Sequence, residues 1–189
     1  MSATQIISCL VLAVLVFWAV GAYNRLVALR NAIGQAFIPV DTHLKRRHEL
    51  IPQLADAARA LAPNDADTLS AASAASAQAH AALELARVTP CASGPVSSLS
   101  MAEHVLDTTR ARMLDALEAS PELAADTALR DAAAELNATE NRLAYARQVF
   151  NEAVATYNLA VRQFPTRLLS SLYGFGVAAP LHSTPPAAI

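Results

Sequence analysis

The chain has 189 residues, with 14 Lys or Arg against 16 Asp or Glu and a formal net charge of −2. That length suits one domain with an anchor rather than two independent cores, and the charge balance excludes the global attraction on which nucleic-acid binding depends. Glycine is scarce, alanine is abundant, and apolar and polar residues never alternate over a strand length, so the composition predicts an all-α protein.

Residues 1–22, MSATQIISCLVLAVLVFWAVGA, hold no charged side chain, and Ile6 to Ala22 is an almost continuous apolar run. Its length of about 17 residues is the lower limit for crossing a hydrocarbon core of about 30 Å, and Trp18 with Tyr23 adds aromatic character toward one end. The alternative is a cleaved signal peptide, because Ala19-Val20-Gly21 and Val20-Gly21-Ala22 resemble small-residue cleavage sites. The missing basic n-region, and helix-forming sequence that continues through the site, favour an uncleaved anchor. Ile6-Ile7-Ser8-Cys9 resembles a lipobox, but the apolar run follows the cysteine instead of preceding it. Only the terminal amine is basic before the span, whereas Arg25, Arg30, Lys45, Arg46 and Arg47 follow it. The positive-inside rule therefore predicts a single-pass protein of the cytoplasmic membrane, with the N-terminus outside and the bulk in the cytoplasm.

Beyond the anchor, apolar residues recur at Leu26, Leu29, Ile33, Phe37, Val40, Leu44, Ile51, Leu54, Ala58 and Leu61. Gaps of three and four describe one helical face, and the single gap of seven falls at Arg47 and His48, which puts a polar group on or beside that face. Pro39 and Pro52 interrupt without shifting the phase, so they are predicted to bend the helix rather than end it. From Tyr23 to Leu61 such a helix projects the bundle about 60 Å from the bilayer.

A break follows at Ala62-Pro63-Asn64-Asp65, where Asn64 or Asp65 can cap an alanine-rich helix running to about Val88. Thr89 to Pro95 reads as a turn, with Cys91 inside it. Cys9 lies in the apolar segment, so no internal disulfide or zinc cluster is expected. Ser100 and Glu103 then resemble a capping box ahead of a helix carrying Val105, Leu106, Met113, Leu114 and Leu117. Ser120-Pro121-Glu122 is a helix start, followed by one long face of Leu129, Ala133, Leu136, Leu143, Phe150, Val154, Tyr157, Val161 and Phe164. Glu140 and Arg147 fall on that apolar stripe.

The first and last long helices are antiparallel neighbours in an up-down-up-down bundle. A register in which partner numbers sum to about 187 aligns the two stripes. It sets Leu26 level with Val161, Ile33 with Val154, Phe37 with Phe150, Leu44 with Leu143 and Ile51 with Leu136. Arg47 meets Glu140, as a charged layer that specifies register or as two side chains that snorkel to the bundle edge. The same register returns Phe164 to the level of Tyr23. Residues 165–176 then read as an interfacial segment, in which Leu168, Leu169, Leu172, Tyr173 and Phe175 meet the cytoplasmic leaflet beside Arg25, Arg30, Arg162 and Arg167. The alternative is that this segment folds back over the bundle end. The boundaries are thus 1–22 anchor, 23–164 helical bundle, 165–176 interfacial segment and 177–189 disordered tail.

His43, His48, His80, His104 and His182 are scattered over separate faces and elements, and HExxH, CxxC, GxSxG and phosphate-cradling glycine loops do not occur. No catalytic residue, cofactor or metal site is expected.

The strings YNRLVALRN, VDTHLKRRHELIPQL and TENRLAYARQVFNEAV, followed by YN, FP and LYGF, resemble the LemA family of bacterial membrane proteins. The likeness covers roughly residues 23–62 and 120–175. It departs at Phe37, where the family usually has tryptophan, at Pro39 inside the helix, and at His48 in place of a tyrosine. The resemblance implies an N-terminally anchored, mostly cytoplasmic antiparallel bundle with no catalytic residues to carry over. The expected role is a non-enzymatic scaffold or adaptor of the envelope that meets membrane lipid, further copies of itself or envelope proteins, and no nucleic acid. The alternative is a lipid-surface organiser acting through the juxtamembrane arginines and the C-terminal amphipathic segment.

Overall fold

A single helix, α1 (Ala3–Arg59), carries the chain from the apolar segment into the bundle without interruption. The computed structural model describes residues 2–59, 65–119 and 126–182. At about 1.5 Å per residue, α1 is about 85 Å long. Residues 2–18 are exposed along their whole length, and an 18-residue window of α1 is long and apolar enough to cross a membrane. Both Pro39 and Pro52 lie inside α1. Pro52 has no N–H for the carbonyl of His48 four residues earlier, and Ser76 Oγ donates to that oxygen at 3.0 Å instead. The lost helical bond is thus replaced from the neighbouring helix, which lets the proline stay.

Among the described residues the remaining helices are α2 (Ala66–Val88), α3 (Ser93–Ala119), α4 (Thr127–Arg162) and a short α5 (Thr166–Leu172). Among the described residues there is no strand. Asp65 makes no side-chain cap bond to α2, and Asn64 and the Ser120-Pro121-Glu122 start lie outside the described residues. Where the described part of α4 begins, Asp126 accepts from Leu129 N at 3.0 Å. The turn before α3 is tighter than the sequence predicts: Ala92 N bonds Thr89 O at 2.9 Å and the helix starts at Ser93. Pro95 therefore sits in the first turn of α3, where its missing donor costs nothing.

The four long helices form the up-down-up-down bundle. α1 packs along α4 and α2, and α2 along α3, whereas α3 and α4 hardly approach one another. The α1–α4 seam has the register that sums to 187. The Phe37 and Phe150 rings meet edge to face at 5.5 Å, and Leu26, Ile33, Leu44 and Ile51 are buried with Val161, Val154, Leu143 and Leu136.

The end of the chain departs from expectation. Residues 177–189 are expected to be disordered because they hold many prolines and small residues, yet residues 177–182 run as a strap along the bundle, with Ala178 and Leu181 buried. Asn158 and Asn151 supply the hydrogen bonds that the extended backbone cannot make to itself. Residues 183–189 lie outside the described residues.

The core divides into two apolar clusters. The one nearer the apolar segment of α1 joins Leu26, Ile33, Phe37, Leu44, Leu83, Leu99, Phe150, Tyr157 and the strap residues. The distal one joins Leu50, Ile51, Leu54, Leu69, Ala72, Leu106, Met113 and Leu136.

Candidate functional site

Between the two clusters lies a layer of charge. Arg47 of α1 is fully buried, so the reading in which it snorkels to the edge is overturned. It is surrounded because the stripe of α1 carries it inward, and its guanidinium donates to two carboxylates and lies within ion-pair distance of a third. Nη1 donates to Glu103 Oε2 at 2.9 Å, Nη2 donates to Asp107, and Nε lies 2.9 Å from Glu140 Oε1. Neither of those last two atoms finds a hydrogen-bond partner among the described residues, so the contact predicted from the register is ionic and is one part of a larger network.

Glu103 is the centre of that network. The expected capping box is wrong: α3 starts at Ser93, seven residues before Ser100, so Glu103 is mid-helix and completely buried. Ser100 instead donates to the carbonyl of His182 at 2.9 Å. Glu103 Oε2 accepts from Arg47 and, at 2.9 Å, from Arg147 Nη2, while Oε1 lies 2.7 Å from His48 Nε2. Burial alone would raise this carboxyl, but the His48 hydrogen bond and the charges of Arg47 and Arg147 outweigh it and hold it below the ordinary carboxylate range. Burial likewise opposes charge on Arg47, and the three carboxylates more than offset it, leaving its pKa raised. For Arg147 burial wins over Glu103, and its pKa is lowered. Arg110 Nε, 3.4 Å from Glu140, completes the network.

These residues come from α1, α3 and α4, so charge joins the two helices that scarcely touch. The network opens on a groove of about 900 Å³ between α3 and α4, lined by Asp107, Arg110, Glu140, Arg147 and Gln148. Every carboxylate of the network faces a guanidinium, an arrangement that fixes three helices in register. Among the described residues no cluster of three His, Cys, Asp or Glu side chains is placed to hold a metal ion.

The second expected site is the membrane-proximal end. Arg25, Arg30, Arg162 and Arg167 are exposed there, and residues 23–40 and 153–189 contain no Asp or Glu. Leu168, Leu172 and Tyr173 are also exposed, together with Phe164. The side chain of Leu169 lies outside the described residues. Phe175 corrects the expectation: it is buried in the proximal core. Its ring and that of Tyr173 pack on Tyr23 at 5.7 and 5.3 Å. The segment thus partly folds back over the bundle end while keeping an apolar edge outward. Cys91 donates to Arg30 O at 3.4 Å, and burial pushes its thiol pKa up.

Sequence reasoning missed Glu103, Asp107 and Arg110. The signal was present in the stripe of α3, where Val96, Leu99, Glu103, Leu106, Arg110, Met113 and Leu117 follow gaps of three and four.

No curated protein matches the chain. The model of the LemA family matches residues 36–187, a span that takes in most of α1 beyond its apolar part, all the later helices and the strap. A match over most of the chain places this protein in the LemA family.

Proposed function

We propose that this protein is a membrane-anchored, non-enzymatic scaffold or adaptor of the bacterial envelope. The observation that carries the reading is the continuity of α1, whose apolar, exposed first part runs directly into the central seam of the bundle. A bundle mounted in this way is held at a set distance from the bilayer. The commitment of the buried ionisable groups to one another across three helices supports a structural use for them. The arginines that follow the apolar segment favour an outside N-terminus and a cytoplasmic bundle. Its partners would be lipid, further copies of the chain and envelope proteins, and not nucleic acid. Native mass spectrometry of the full-length chain released in mild detergent tests this: oligomers or co-purifying envelope proteins are expected, and a strict monomer without partners would refute it.

A second reading, a lipid-surface organiser, is favoured by the exposed Phe164, Leu168, Leu172 and Tyr173 beside an end that carries arginines and no carboxylates. In a full-length Leu172→Cys chain with Cys9 and Cys91 changed to Ser, vesicles should protect the new thiol from a water-soluble maleimide. Full reactivity would rule this reading out.

A further inference from the structure

The strap is held by its backbone. Asn158 Nδ2 donates to Ala178 O and its Oδ1 accepts from Ala178 N, both at 2.9 Å. Asn151 treats Leu181 in the same way, at 3.1 and 2.8 Å. Each amide thus reads both polar groups of one residue, whatever its side chain. Tyr157 Oη adds a bond to Gly176 O, and Ser100 Oγ one to His182 O, each at 2.9 Å.

The spacing is matched on both sides. Phe175, Ala178 and Leu181 are buried, every third residue, which is the repeat of a polyproline II helix, and three such residues span about 9 Å. The two asparagines are seven residues apart on α4, two turns and about 10 Å along one face. The gap between α3 and α4 is therefore shaped for an extended ligand with one buried side chain in three.

We propose that this gap is a peptide-binding groove for extended, polyproline-type segments, and that it takes the C-terminal segment of a second copy in exchange for its own. The bonds that hold the strap do not use its covalent connection to the same bundle. The strap follows Gly174, at φ +70°, and Gly176, so it leaves the bundle through residues that tolerate a change of direction. Copies anchored in one membrane face each other at high effective concentration. This rests on the scaffold reading and supplies its mechanism of self-association.

The test uses full-length chains with Cys9→Ser and Cys91→Ser in mild detergent. Ala155 and His182 both line the open groove between α3 and α4 beside the strap, so one chain carries Ala155→Cys and the other His182→Cys, and a short bismaleimide reports their meeting. The doubly substituted chain sets the intramolecular yield. Mixing the two single variants should give a cross-linked dimer, and Asn151→Ala with Asn158→Ala in the Ala155→Cys chain should lower its yield at least tenfold. If those substitutions cost helicity, an excess of the peptide of residues 173–182 should suppress the dimer instead. No intermolecular product, or one indifferent to both the asparagines and the peptide, overturns the exchange. Oligomers in native mass spectrometry without this cross-link would leave the scaffold reading intact.

Discussion

The two halves of the bundle solve the same packing problem differently. The half nearer the apolar segment uses rings: Phe37, Phe150, Tyr157 and Phe175 all sit in its core, and the strap fills the space that α3 and α4 leave between them. The described distal half has no aromatic in its core and relies on Ala55, Ala58, Ala72, Ala75 and Ala79 with leucine, isoleucine and methionine. Small side chains fill the distal core between α1 and α2, while large ones in the proximal core surround an added element. The charged layer at Arg47 and Glu103 lies where one solution gives way to the other.

The largest effect should come from breaking the divider. Glu103→Gln leaves the buried guanidinium charges of Arg47 and Arg147 without the carboxylate they share, and breaking such a pair costs about 3–5 kcal/mol. Denaturation of the full-length chain followed by circular dichroism measures it, and a loss below about 1 kcal/mol would contradict the buried network. The same variant tests pH dependence. Glu103 is held low in the folded chain, whereas an unfolded glutamate has a pKa of about 4.3. Its contribution is complete above about pH 4.3 and is lost as pH falls through the lowered folded value. Acid should therefore destabilise the wild type more steeply than Glu103→Gln, and equal slopes would remove Glu103 from the explanation.

Next come the cores themselves. Phe150→Ala should cost about 3–5 kcal/mol and Leu136→Ala about 2–5. If the charged layer separates the halves, each variant should lose amide protection on its own side of Arg47 and keep it on the other. Uniform loss in hydrogen exchange would show one cooperative core. Ser76→Ala strands the His48 carbonyl beside Pro52 and should cost about 1–3 kcal/mol; an unchanged midpoint would mean that the carbonyl finds another donor. The smallest effect belongs to the exposed Arg46–Glu135 pair, at 2.6 Å between α1 and α4. Glu135→Ala should leave the denaturation midpoint almost unchanged despite that distance, because water screens the pair; a loss as large as that of Glu103→Gln would erase the contrast between buried and exposed charge.

Local pattern by itself determined much of this protein. The apolar run, the long stripes and their common register are properties of spacing along one helix, and spacing is what a sequence displays directly. The polar gap at Arg47 was legible for the same reason, and so was its level with Glu140. Glu103 was not recognised because Ser-x-x-Glu suits both a helix start and a helix interior. Only the position of the tight turn before Ser93 decided between them. The strap was illegible on different grounds. Its order comes from Asn151, Asn158, Tyr157 and Ser100 on two helices, and an extended segment with few large side chains shows no sign of partners that folding brings to it. Tertiary structure decided which charges share a layer and what holds the chain's last described residues, because both depend on groups distant in sequence meeting across the gap between α3 and α4.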